Sequence, residues 1–185
     1  AEDLKSALDA YRVEHGPLRF DPEARNLRHT HVSESGDGAA RRVEQMLVGM
    51  MQVLKSGDRT LAADIRRLDD TVDDLYTATK LYLTQISREA LEVQEGRRWA
   101  DIVSFTINME QVGDIIERIV VDIEDKMIDK GRRFSEAGMT EICDLHTRLH
   151  ANLKLGLSVF LTGDLAGAQQ LLAQKVLFRD LERVY

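Results

Sequence analysis

Apolar and small residues recur along most of this chain at alternating intervals of three and four. The longest run is Trp99, Ile102, Thr106, Met109, Gly113, Ile116, Val120, Ile123 and Met127, which is the period of an α-helix. A second stripe, Phe105, Val112, Ile115 and Ile119, runs beside it. Two adjacent apolar stripes need at least two neighbours to cover them, which predicts a central bundle helix over residues 94–130. Gly131 follows as its C-terminal cap. A helix over 59–88 is predicted by Leu61, Ile65, Leu68, Val72, Leu75, Thr79, Tyr82 and Ile86. This 4-3-4-3 spacing, sustained over several heptads, implies near-antiparallel packing at small crossing angles.

Shorter patterns complete the set. Val43, Met46, Leu47, Met50 and Leu54 point inward from a helix over 39–55. Ile142, Leu145, Leu149, Leu153, Gly156 and Phe160 do so from one over 137–162, with Ser135 as N-cap and Phe134 as staple. A last helix runs over 164–185. Near the start, Leu4, Ala7, Leu8 and Tyr11 mark an amphipathic helix over 1–15, which His15-Gly16-Pro17 stops. Residues 16–38, holding both prolines and Ser-Glu-Ser-Gly-Asp-Gly, read as a linker with one helical turn at Glu23–Leu27.

The breaks between helices repeat. Gly57-Asp58 and Gly163-Asp164 each end one helix with a glycine and cap the next with an aspartate. Aligning them sets Leu68, Asp69, Val72, Asp73 and Leu75 against Gln174, Lys175, Phe178, Arg179 and Leu181. The expected fold is therefore all-α: an antiparallel bundle of two three-helix repeats, the last helix missing from this chain. The domain division is 1–38 (N-terminal helix and linker) and 39–185, with repeat one at 39–131 and partial repeat two at 135–185. The second half should then carry an open apolar groove lined by Leu172, Phe178 and Leu181, a feature that favours a homo-oligomer.

Composition narrows the function. Hydrophobic residues make up 43%, enough for a core, and there are only two prolines. Lys and Arg number 25 against 32 Asp and Glu, a net charge of −7. This argues against nucleic acid as a partner and against docking on anionic lipid by this domain alone. The single cysteine, Cys143, excludes an internal disulfide and fits a reducing compartment. No run approaches the ~18–20 apolar residues of a membrane span, and no signal peptide is visible, so the expectation is a soluble domain without direct membrane insertion. Met46, Met50 and Met51 read as core filling. His29 and His31, and His146 and His150, are weak candidates for metal ligands and read better as solvated or hydrogen-bonded histidines.

Acidic residues supply the sharper candidate. Asp69, Asp70, Asp73 and Asp74 crowd the middle of one predicted helix, where aspartates are poor formers and repel one another. Glu110 and Asp114, one turn apart on the next, point within about 40° of each other at ~100° per residue. Gly113 between them suggests close approach of another backbone. Facing i,i+4 carboxylate pairs on neighbouring helices are how bundles hold divalent ions, and an oxygen-only set suits Mg²⁺, Mn²⁺ or Fe. The plainer reading is a rim of surface acids pairing with Arg66, Arg67 or Arg118.

Glu110-Gln111-Val112-Gly113-Asp114 resembles the E-x-x-G-D segment of PhoU domains, helical regulators of bacterial phosphate uptake. The longer run from Phe105 through Ile116, with Phe134-Ser135-Glu136-Ala137-Gly138, resembles the PhoU-like C-terminal cytoplasmic domain of sodium/phosphate cotransporters. The resemblance covers residues 39 to the end. It implies a pair of three-helix bundles and metal-binding acidic motifs, carried here by Asp69, Asp73, Glu110 and Asp114, with iron, manganese, magnesium or zinc as the ion. Lys175 and Arg179 replace acids of that pattern, so a second cluster should be absent. The implied function is non-enzymatic regulation of phosphate uptake, at the cytoplasmic face of the inner membrane, with a membrane transport domain of the same or another chain as partner. The alternative is a free-standing regulator of a phosphate ABC transporter and its sensor kinase. A di-metal oxidase is disfavoured because no Glu-x-x-His motif occurs, and no Gly-rich phosphate loop or nucleophile–base set is visible.

Overall fold

The computed structural model describes residues 25–86 and 93–181, and the predicted helix over 1–15 lies outside them. Five α-helices account for nearly all of these residues: α1 (Arg25–Ser56), α2 (Arg59–Ile86), α3 (Val93–Ile123), α4 (Glu136–Thr162) and α5 (Leu165–Leu181). No strand occurs among the described residues. The fold is all-α, as the periodicity requires.

The helix ends follow the capping chemistry. Gly57 and Gly163 adopt φ of 72° and 69°, a left-handed conformation that glycine reaches without a Cβ penalty. Each donates its N–H to a carbonyl four residues back, Val53 and Val159, at 2.8 Å. Asp58 Oδ1 then accepts from the Thr60 N–H at 2.8 Å and the Leu61 N–H at 3.3 Å. Asp164 repeats this, its two oxygens accepting from Ala166 and Gly167, both at 3.0 Å. The duplicated Gly-Asp signal is thus a duplicated structure. Ser135 caps α4 by accepting from Gly138 N–H at 3.1 Å.

Two boundaries differ from the periodic reading. α1 begins at Arg25, whereas the pattern placed its start at Ala39 and a linker before it. No proline follows Pro22, and the glycines there cost about 1 kcal/mol each in a helix, which is not prohibitive. At the other end, α3 does not continue as α-helix to residue 130. It widens into a π turn over Glu124–Ile128, after which Gly131 takes a φ of 61° and Arg132 N–H bonds to the Met127 carbonyl at 2.9 Å.

The chain divides into two compact units, Ala1–Val43 with Arg66–Ile115, and Glu44–Ile65 with Ile116–Tyr185. In the first, Ala39, Ala40, Val43, Val72, Ile102 and Met109 form the buried apolar set, and Thr79 and Thr106 join it by donating their hydroxyls to their own helix, to Leu75 and Ile102 carbonyls. In the second, Met46, Leu47, Met51, Val53, Ala62, Ile65, Ile116, Val120 and Ile123 are buried. Gly49 lets α1 approach Ile65 of α2, whose side chain would stand 3.1 Å from an added Cβ. Arg59 at the start of α2 donates to Asp129 beyond the π turn. α4 and α5 pack on each other in this unit, yet α4 has no buried residue and α5 has only Gly167.

The first apolar stripe of α3 is buried from Ile102 to Ile123. Its second stripe is not enclosed as expected: Phe105 and Val112 are half-buried, while Ile115 and Ile119 are 50% and 41% exposed.

Candidate functional site

The acidic residues singled out in the sequence fall in the first unit, on α2 and α3. The buried Val72 on α2, and Met109 and Gly113 on α3, fix how each helix is turned. Their immediate successors, Asp73, Glu110 and Asp114, therefore sit at the border of the core. Asp73 is exposed, and Glu110 and Asp114 are half-buried. One carboxylate oxygen from each lies within 4.8 Å of the other two. Two are from one helix at i and i+4, and the third comes across from its neighbour.

Three carboxylates this close disfavour one another's ionisation. Glu110 shows the effect: lost solvation raises its pKa first, then the charge of Asp114, then that of Asp73. The donor set is all oxygen, three acids converge, and Glu110 is pushed toward holding a proton. That is the environment a divalent cation relieves, and the residues fit one.

Asp69 behaves differently. It lies one turn before Asp73 but is 6% exposed, turned inward with its neighbours on the α2 stripe, and it is not one of the three that converge. Its Oδ1 accepts no hydrogen bond, although the side chain takes part in another interaction. Asp70 and Asp74 are exposed on the outer face of α2. On α5, Lys175 and Arg179 stand exposed at the positions matching Asp69 and Asp73, and no second carboxylate group of this kind occurs among the described residues.

The histidine pair on α4 has a role that sequence reading placed only in outline. The His146 Nε2–H donates to the Leu47 carbonyl at 2.9 Å, and His150 Nε2 bonds Glu44 Oε1 at 2.8 Å. Lys154 Nζ approaches the same oxygen at 3.6 Å. The rings stack in parallel, 6.3 Å between centroids. Residues 146, 150 and 154 share one helix face, the signal available in the sequence; their partners on α1 were not. The side chains of His29 and His31 lie outside the described residues. Cys143 is a half-buried free thiol. No helix of the described residues is long and apolar enough to cross a membrane.

Comparison with known proteins places this geometry in context. Residues 38–123 match the model of the PhoU domain family. The chain is 43% identical over 143 residues to a protein of Salmonella typhimurium named "Putative inorganic phosphate export protein YjbB". It is 41% identical over the same length to the Escherichia coli K12 protein of that name. The aligned part covers 77% of this chain and 26% of each relative, so the chain spans about a quarter of the length of the relatives it matches. No solved structure matches it.

Proposed function

With residues 38–123 a PhoU domain, a member of a regulatory and non-catalytic family, we propose that this chain is the regulatory domain of a phosphate-transport protein. The observation that carries this is the 41–43% identity, over 77% of the chain, to proteins named for phosphate export. Sequence resemblance had pointed to phosphate uptake and to sodium-coupled cotransporters. The proposal takes phosphate movement as the common element. The partner in this reading is a membrane transport domain of the same longer protein, and the site of action is the cytoplasmic face of the inner membrane.

The acidic centre is the place where regulation enters. Asp73, Glu110 and Asp114 would hold the cation directly, with Asp69 buried one turn away on α2. A divalent ion bound there would supply the positive charge that three converging carboxylates lack, and so would tie α2 to α3. Magnesium, manganese and iron suit the oxygen donors, with zinc less favoured by a site without His or Cys.

The experiment compares phosphate flux through the longer protein, whole and without residues 38–181, in membrane vesicles loaded with different phosphate concentrations. A regulatory domain predicts that the shortened protein still moves phosphate but loses the dependence of rate on internal phosphate. Loss of all transport in a correctly inserted protein, or an unchanged dependence, would contradict the proposal.

A further inference from the structure

The fully buried apolar residues of the second unit lie on α1–α3 and none on α4 or α5. Met46, Leu47, Met51 and Val53 of α1, Ala62 and Ile65 of α2, and Ile116, Val120 and Ile123 of α3 make up its buried apolar set. At positions matching α1 and α2 by the Gly-Asp repeat, α4 and α5 carry apolar residues that are only half-buried or exposed: Leu149 against Val43, Leu153 against Leu47, Leu171 against Ile65. The two later helices are nonetheless tightly joined to each other. Gly167 is buried, and a Cβ there would stand 2.8 Å from Val159 Cγ2 and 3.0 Å from Asp164 Oδ2.

We propose that the α4–α5 hairpin is a detachable arm, docked on α1 by a polar latch of His146, His150 and Lys154 closing on Leu47 and Glu44. The contacts of this latch are directional and confined to one face of α4. His146 reaches a main-chain carbonyl at 2.9 Å, His150 a carboxylate at 2.8 Å, and Lys154 the same carboxylate at 3.6 Å. Glu44 and His150 keep 27% and 29% of their side-chain surface in solvent, so water can compete for them. An element with no fully buried apolar side chain, held by accessible polar bonds, opens at a lower free energy than the core it rests on. Glu44 is the hub, since two of the three side chains close on it. Undocking uncovers the Glu44–Leu47 face of α1 and the His146–Lys154 face of α4, while α1–α3 stay folded. The arm is thus a conformational device independent of the acidic centre, and it does not rest on the phosphate reading.

Amide hydrogen exchange on the full chain, read by mass spectrometry at one pH, tests it. Glu44→Gln, and separately His146→Gln with His150→Gln, should speed exchange in residues 136–181 by about tenfold, the size of one charge-assisted hydrogen bond. Residues 59–86 and 93–123 should keep their rates. Asp144→Asn breaks only the exposed Arg148–Asp144 bond within α4 and should change nothing. Unchanged rates in 136–181, equal acceleration in all helices, unfolding of the whole chain, or an equal effect of Asp144→Asn would each overturn the proposal.

Discussion

Asp73, Glu110 and Asp114 put three acidic groups within reach of one small ion, and this decides how the metal-free domain responds to its surroundings. If Mn²⁺ or Fe²⁺ binds there, a hundredfold excess over Kd should add about 2.7 kcal/mol to stability and raise the melting temperature. Asp73→Asn with Glu110→Gln should abolish that gain and make the metal-free protein more stable by removing repulsion; a thermal shift that survives the double substitution would rule the site out. The metal-free chain should also respond to acid. Glu110 has a pKa raised by lost solvation and by Asp114 and Asp73, so between the ordinary glutamate value and the raised one the native state binds more protons than the unfolded chain. Stability therefore falls as pH rises through that window. Denaturant titrations across it should show the slope in the native sequence and a flatter curve in Glu110→Gln. Sequence pattern singled out Asp69, Asp73, Glu110 and Asp114 alike, whereas the structure brings only the last three together. A helical i,i+4 spacing leaves two side chains about 40° apart, and packing alone decided that Asp69 turns inward while Asp73 meets α3.

At the scale of elements, the caps and the first apolar stripe were legible because each is a local signal. Gly57-Asp58 and Gly163-Asp164 need only their own neighbours to form, and both do so with the same hydrogen bonds. Asp58→Ala and Asp164→Ala should each cost about 1 kcal/mol by urea denaturation, the usual worth of an N-cap; a loss below a few tenths at either site would show that the cap there is idle. What was not legible depends on partners distant in the chain. Ile115 and Ile119 continue an apolar stripe, but periodicity shows that a face is apolar and not how many helices cover it. The π turn over Glu124–Ile128 leaves no pattern, since one widened turn shifts the register by less than the stripe's own width. The start of α1 was hidden by serines and glycines, which lower helix propensity without forbidding it. His146 and His150 shared a face in the sequence, while Glu44 and Leu47, their partners, lie on another helix.

For the molecule as a whole, the net charge is −7, and no helix of the described residues is long and apolar enough to cross a membrane. Its second repeat presents Leu165 and Leu172, 72% and 69% exposed, where the first repeat has Arg59 and Arg66. Where α2 carries Asp69 and Asp73, α5 carries the exposed Lys175 and Arg179. The central claim joins the acidic centre to phosphate movement. It is tested most directly by phosphate flux through the longer protein in vesicles, native against Asp73→Asn with Glu110→Gln, with Mn²⁺ or with chelator on the domain's side. The account predicts that both proteins transport phosphate and that only the native one changes rate when Mn²⁺ is removed. An equal response in the two, or no response in either, would contradict it.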